Sequence, residues 1–426
     1  MKSKILISIL CFVSLSAQDT SLSQAYQMAL NNDHGLKQNI YEGFATKERT
    51  KQTLASFFPS VSFDVSYNGQ RYKKNSIKVD ESYIRYGVSI NQIIFRPASW
   101  YELNQDKLRE QGSDLINLAV EQDLAKKVAK AYFDYSHALN SLEFAKQYEE
   151  VTKARFKQLQ KSLEFGLSNK MDLLESKVRL DEARLNINKV KQQIQIANLE
   201  LTSIIGSQIE VNKRLSNLDL EFFKGIMLEQ FSDISKNLQY KQSEILTQIS
   251  NEELKKRKSE HLPSVNLNVG YYNDRYMERK YPIDENNKLQ STISFVFPIF
   301  TGGQTAARVE EARLLNLSNI ERQKNSQNKI LVEQKKVVSE FLNLIDEVDL
   351  TRLSLENSLL YRDFVQQAYN DGLKDVVDLF DAQAKVFRMQ NELLNSSHKL
   401  VLSYLELEAL IGNISILTME NLERAF

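Results

Sequence analysis

Two periodicities divide the chain. Over long stretches apolar residues recur at steps of three and four, and in two short regions they recur at every second position. Leu124, Val128, Ala131, Tyr135, Ala138, Leu142 and Ala145 step by four and three in alternation, the spacing of a coiled-coil seam. The stretch that holds them opens at Pro97, a residue suited to the first helical position, and meets no breaker but Gly112 before Phe165. At about 1.5 Å per residue it predicts a helix roughly 100 Å long. After a turn at Gly166, a second helix is predicted to run to Gly206, with Ile187, Val190, Ile194, Ala197, Leu201 and Ile204 on its seam. It is about half as long as the first. A helix over 21–56, with a thin stripe of Leu22, Ala25, Ala29 and Phe44, has the length to complete it.

Between these helices the period changes to two. Val61, Phe63, Val65 and Tyr67 alternate with Ser62, Asp64, Ser66 and Asn68, and Ile84, Tyr86, Val88 and Ile90 alternate with Arg85, Gly87, Ser89 and Asn91. This predicts a β-hairpin over about 60–95 whose strands have the roughly 9 to 11 residues that a tilted strand needs to cross a bilayer. Tyr67, Tyr72, Tyr83 and Phe95 are expected to supply aromatic girdles at its interfaces. A half-buried soluble hairpin would alternate in the same way.

The scheme then repeats. Leu262-Pro263-Ser264-Val265 echoes Phe58-Pro59-Ser60-Val61, and Val265, Leu267, Val269 and Tyr271 alternate with Asn266, Asn268 and Gly270. Ile293, Phe295 and Phe297 mark a fourth strand, placing a second hairpin over about 264–300. Ile299-Phe300 echoes Ile94-Phe95, and Gly302-Gly303 makes the turn that Pro97 made. A second long helix carries Val337, Phe341, Leu344, Val348 and Leu355, and its return helix ends at Ala409-Leu410-Ile411-Gly412, the echo of Ser203-Ile204-Ile205-Gly206. From Phe58 to Leu262 the offset is 204 positions, and from Gly166 to Gly372 it is 206. The expected organisation is a first repeat over 18–206, an irregular connector over 207–232 with Phe222, Phe223 and Phe231 packed around the middle of the helices, a second repeat over 233–412, and a tail over 413–426.

Composition narrows the class. Five Pro and thirteen Gly in 426 residues imply unusually long helices, and 55 basic against 55 acidic residues give no electrostatic argument for nucleic acid. Met1-Lys2-Ser3-Lys4, the apolar run Ile5 to Leu15 and Ser16-Ala17 have the three zones of a secretory signal, so residues 1–17 are expected to be cleaved. No later segment approaches the roughly 20 apolar residues of a membrane helix. Cys11, the one cysteine, lies inside that signal after Leu10 and is read as part of it. His34, His137, His261 and His398 lack carboxylate or cysteine partners at metal-ligand spacing and are expected to be ordinary surface or seam residues, so no metal or cofactor is indicated. No P-loop, Gly-x-Ser-x-Gly elbow or His-Glu-x-x-His is present, which points away from an enzyme.

The chain tightens at Ala368 to Gln383. Gly372 breaks the helical pattern, Leu373 and Lys374 cross a turn, and Asp375 is placed to cap the next helix, which carries Asp378 and Asp381 three residues apart on nearly one face. Gly166-Leu167-Ser168-Asn169-Lys170-Met171-Asp172-Leu173 matches Gly372 to Leu379 position for position, so the chain holds two such tips. The duplicated plan, and above all Tyr369-Asn370-Asp371-Gly372 followed by Val377-Asp378-Leu379-Phe380-Asp381-Ala382, resemble the TolC-type outer-membrane efflux and secretion family. Members commonly carry Val-Leu where this chain has Leu379-Phe380.

The resemblance implies an α+β membrane protein: a homotrimer whose hairpins, four strands per protomer, close one twelve-stranded β-barrel continuous with an α-helical coiled-coil tunnel through the periplasm. Its role would be the exit duct of a tripartite efflux or type I secretion system, with a periplasmic adaptor and an inner-membrane transporter as partners and outer-membrane lipid around the barrel. Residue physics supports that assembly. Four strands in lipid leave edge N–H and C=O groups unsatisfied, and eight strands enclose only side chains or one small ligand, so a conduit needs at least three copies. Val61, Phe63, Val88, Val269 and Phe295 would then face lipid, and Ser62, Ser66, Asn266 and Asn268 would face water.

By the same resemblance, Asp378 and Asp381 match the paired aspartates lining the periplasmic aperture, and Asp172 matches the acidic residue of the first tip. Tyr369 matches a tyrosine of the network that locks the tips, and Lys374 stands where arginine is common; its ammonium cannot make a guanidinium's planar two-pronged contact. Gly166, Leu167, Gly372 and Leu373 match the tips on which an adaptor docks. A plainer reading is open: aspartates near helix N-termini favour the helix dipole by about 0.3 to 1 kcal/mol each, and the glycines terminate helices. That reading is preferred for Asp375, and the aperture for Asp378 and Asp381. A structural coiled-coil protein of the cell envelope is the rival class, although it has no need of two alternating hairpins.

Overall fold

The structure, a computed structural model, describes residues 20–74, 77–166, 168–211, 214–278 and 287–426. The signal segment with Cys11, Leu167 and the side chain of Tyr72 lie outside the described residues. The helix expected over 21–56 is two helices, α1 (Leu22–Asn32) and α2 (His34–Ala55). Asp33 interrupts it with an extended backbone, and its Oδ1 accepts the Leu36 N–H at 2.5 Å. An apolar stripe does not reveal such a break, because the cause is a side chain that offers the backbone a competing hydrogen bond.

The rest follows in chain order: β1 (Ser60–Lys74), β2 (Ile77–Phe95), α3 (Pro97–Glu164), α4 (Lys170–Ile205), α5 (Leu220–Lys224), α6 (Leu238–Ser259), β3 (Ser264–Glu278), β4 (Asn287–Val296), α7 (Gln304–Asn370), α8 (Val376–Leu410) and α9 (Ile416–Glu423). They pack as two units. One holds the residues up to Lys37 with Ala119–Asn237 and Ile330–Phe426, the other Gln38–Leu118 with Leu238–Lys329. Helices α3 and α7 contribute to both.

The second unit contains an antiparallel sheet of order β1-β2-β3-β4. Its register sorts the alternation onto two faces. Val61, Phe63, Val65 and Tyr67 oppose Ile90, Val88, Tyr86 and Ile84; Val88 and Ile90 oppose Tyr271 and Val269; Val265 and Leu267 oppose Phe295 and Ile293. This apolar face is uncovered, with Phe63 69% and Phe295 67% exposed. Tyr83 does not belong to it. Odd positions of β2 face the other way, so Tyr83 lies with Arg85 and Gly87 on the polar face, its ring 5.1 Å from that of Tyr276. A bulge between Ile93 and Phe95 sets Phe95 opposite Val265 and returns it to the apolar face. The fourth strand ends at Val296, short of Phe297, because Pro298 cannot donate to a ladder.

On the polar face Asp274, fully buried, accepts from Arg85 Nε and Nη2 at 2.7 and 2.9 Å and from Lys288 Nζ at 2.9 Å. One carboxylate thus ties β2, β3 and β4. Below it the Tyr272 ring lies against two glycines: a Cβ on Gly87 or Gly270 would meet ring atoms at 2.5 or 2.4 Å. The aromatic therefore lies along the wall instead of projecting from it.

Among its described residues the first unit is built from helices joined by turns. Val128, Ala131, Ala138 and Ala145 of α3, Ile187, Val190, Ala197 and Leu201 of α4, and Val337, Phe341, Leu344 and Val348 of α7 are buried on the expected seams. The connector coils into two short 3-10 turns and α5, and it buries Phe223 and Phe231; Phe223 meets the rings of Phe341 and Tyr404 at 6.4 and 6.0 Å. The tail forms α9, which buries Met419 and Leu422 and packs on α1, where Glu423 Oε1 accepts the Ser23 N–H at 2.6 Å.

Two outcomes are expected from this packing. Single cysteines at Val61, Phe63, Val88, Val269 or Phe295 should react with a lipid-soluble probe in reconstituted protein, and cysteines at Ser62 or Asn266 with a water-soluble one; the reverse pattern would invert the two faces. Glu408 is 6% exposed and is reached by the Asn413 amide at 3.1 Å. Burial raises its carboxyl above the ordinary range, a shift that the bonds from Asn413 and Tyr404 only partly oppose. Since the folded state holds this proton more tightly than the unfolded state, stability is intact below the unfolded value and is lost as pH rises through the folded one. Glu408→Gln should raise the thermal midpoint at about pH 7.5 and leave it nearly unchanged at about pH 4, as read by circular dichroism.

Candidate functional site

The two tips share one local geometry. Gly166, after α3, and Gly372, after α7, both adopt φ of +72°, a left-handed turn that a side chain would strain. At the second tip the N–H groups of Leu373 and Lys374 both reach the Ala368 carbonyl, at 2.8 and 3.2 Å, which satisfies a helix-end acceptor. The following helices are capped in the same manner. Asn169 Oδ1 accepts the Asp172 N–H and Asp375 Oδ1 accepts the Asp378 N–H, each at 2.8 Å. The match in sequence is therefore a match in hydrogen bonding.

This geometry places the aspartates. Asp172 and Asp378 both stand in the first turn of their helices, where the positive end of the dipole favours a carboxylate. Asp378 also accepts from the Lys374 ammonium at 3.2 Å, within its own tip. Asp381 lies one turn further along α8 and is 64% exposed; its Oδ1 accepts from Arg179 Nη2 of α4 at 3.2 Å. Arg179 is also held by Glu175 at 2.9 Å. Burial alone would weaken its hold on a proton, but the two carboxylates outweigh that and move its pKa upward. Asp378 and Asp381 are thus each met by a cation, one from the same tip and one from the other repeat.

An apolar core lies behind the charges. Leu159 of α3 meets Val376 and Phe380 of α8, with Leu173 and Tyr369 packed on them, and Val365 meets Leu379 and Ala382, again with Tyr369 alongside. The ring of Tyr369 touches both clusters. Outside, Phe165, Met171 and Leu373 are among the most exposed apolar side chains of the chain, at 77, 77 and 78%.

Sequence reasoning missed Arg155, Gln366 and Arg179. Arg155 donates to Gln366 at 2.9 Å across 211 positions, and Arg179 meets Asp381 across 202. No local motif marks such pairs; the one signal was that both separations lie near the repeat offset. The histidines need a correction of the same kind. The rings of His137 and His398 are 5.3 Å apart, and His398 Nε2 lies 2.8 Å from Asp134 Oδ1, so two of the four have a charged or ring partner that only the folded seam supplies. Burial lowers the pKa of His137, the neighbouring His398 adds to that, and the Asn395 bond resists it.

The sequence model of the family described as outer membrane efflux protein matches residues 25–207 and 235–413, the two halves of the chain. The outer membrane protein TolC of Vibrio cholerae serotype O1 is 21% identical over 407 residues, covering 93% of this chain and 91% of that protein. The proteases secretion protein PrtF of Dickeya chrysanthemi is 20% identical over 433 residues, covering 97% and 93%. Among solved structures, the outer membrane protein VceC of Vibrio cholerae superposes with a TM-score of 0.79 at 13% identity, covering 93% of this chain and 97% of that one. The fold is shared at low identity, and the family match extends over both repeats: the chain belongs to the outer membrane efflux protein family.

Proposed function

We propose that three copies of this chain assemble into one duct, each giving four strands to a twelve-stranded barrel in the outer membrane and its helices to a tunnel in the periplasm. A member of this family is an outer-membrane exit duct for efflux or secretion, a passive conduit and not an enzyme. The observation that carries the assembly is the sheet: its edges β1 and β4 are open and one whole face is apolar and uncovered. In lipid those edges must be paired, and copies of the same sheet pair them in sequence until a barrel closes. A coiled-coil envelope protein has no use for such a face. The partners on this reading are a periplasmic adaptor, docking on the tips at Gly166, Leu167, Gly372 and Leu373, and an inner-membrane transporter. The exposed Phe165, Met171 and Leu373 support a docking surface at that end.

On this reading Asp378, Asp381 and Asp172 line the periplasmic aperture, and Tyr369 with Lys374 belongs to the lock that keeps it narrow. Three copies bring Asp378 and Asp381 together as six carboxylates around one axis, which attract cations and exclude anions. Conductance of the wild-type channel in a planar bilayer should be small and cation-selective. Replacing both residues by alanine should lower the cation preference several-fold and abolish block by multivalent cations. Retention of both properties would leave the aspartates as helix-end residues only. Arg179→Ala removes a partly exposed contact of about 0 to 1 kcal/mol, so it should leave trimer stability in detergent unchanged while it strengthens cation block by uncovering Asp381.

A further inference from the structure

Among the arginines near the tips, Arg155 has an exceptional position. It is 8% exposed, midway between the core of α3 and the Gly166 turn, and among the described residues no carboxylate lies within ion-pair distance of it. Arg179 and Arg184, in the same unit, each meet carboxylates. The Arg155 guanidinium forks instead between two neutral amides: Nη1 donates to Gln158 Oε1 at 2.7 Å, and Nη2 donates to Gln366 Oε1 of α7 at 2.9 Å. Its Cζ sits over the Tyr369 ring, 4.8 Å from the centroid. Burial pulls its pKa below the usual arginine value, and only Tyr369 opposes the shift.

A buried cation without a counter-ion is costly, and it persists where its surroundings hold it for another reason. Here the contacts supply one. Tyr369 joins the two apolar clusters that fasten α8, and Arg155 is the polar group that fixes this ring from the first repeat. Lys374, by contrast, spends its ammonium on Asp378 of its own tip.

We propose that Arg155 is the positioning residue of the closed aperture: it clamps Tyr369 and Gln366 of the second repeat to α3 of the first, and the lack of a carboxylate partner keeps that clamp weak enough to release. This rests on the aperture reading above. It carries a consequence that an ordinary packing role does not. A carboxylate at position 366 would turn this ion–dipole hydrogen bond into an ion pair with the buried guanidinium, and would lock the tips harder.

Planar-bilayer recording of the purified full-length trimer tests this with four variants. Arg155→Ala should raise conductance several-fold. Arg155→Lys should resemble it, because an ammonium lacks the planar fork that reaches two amides while its carbon lies over the ring. Gln366→Glu should lower conductance below wild type, and in the Arg155→Ala background it should have no such effect. A residue that only fills space would give no variant tighter than wild type. The proposal is overturned if Gln366→Glu leaves conductance unchanged or raises it, or if Arg155→Lys behaves as wild type. A wild-type protein that forms no channel would overturn the duct reading as well. A wild-type channel that loses selectivity on Asp378 and Asp381 replacement, yet ignores these four variants, would overturn the clamp alone.

Discussion

A sheet placed in hydrocarbon has to pair every backbone N–H and C=O it carries, and most features of this chain follow from that requirement. Four strands meet it at three ladders and leave it unmet at β1 and β4. The apolar side chains on one face and the serines, asparagines and ion pairs on the other are what such a sheet needs once it separates lipid from water. The helices obey a related rule. A wall one helix thick buries narrow seams only, so small residues such as Ala131, Ala138 and Ala145 recur there while charged residues cover the remaining faces.

The large elements were legible because each rests on a period that does not depend on distant residues. Alternation located the four strands, and steps of three and four located the long helices and their seams. The misses have one kind of cause. The break at Asp33 comes from a side chain competing for a backbone donor, and the face of Tyr83 is set by counting from Ile84, not by its aromatic character. The arginine contacts at the tips were beyond reach for another reason: they join the two copies of the repeat. Their separations of 202 and 211 positions lie close to the offset of 206 between the two tip glycines, because equivalent points of the two copies stand side by side.

Magnitudes divide the labour at the tips. Burying Phe380, Leu379 and Val376 contributes on the order of 1.5 to 3 kcal/mol for each side chain, whereas an exposed contact such as Lys374 with Asp378 contributes about 0 to 1. Cohesion there is apolar and centres on Tyr369. In the proposed aperture, the charges set what passes and how easily the cohesion is undone. A tip built this way can keep its strength while its charge pattern varies, and the reverse also holds.

The buried Asp274 has a bearing on how the protein is made. By tying β2 of the first hairpin to β3 and β4 of the second, it reinforces the β2–β3 ladder that makes the two repeated hairpins a single piece with two free edges instead of four. In the proposed trimer, closing a ring of twelve strands then requires three encounters between chains, and none of them has to choose between unlike hairpins. Each join brings the β4 edge of one copy to the β1 edge of the next, always the same head-to-tail contact. Fusing the hairpins in one chain turned a sorting problem into a counting problem.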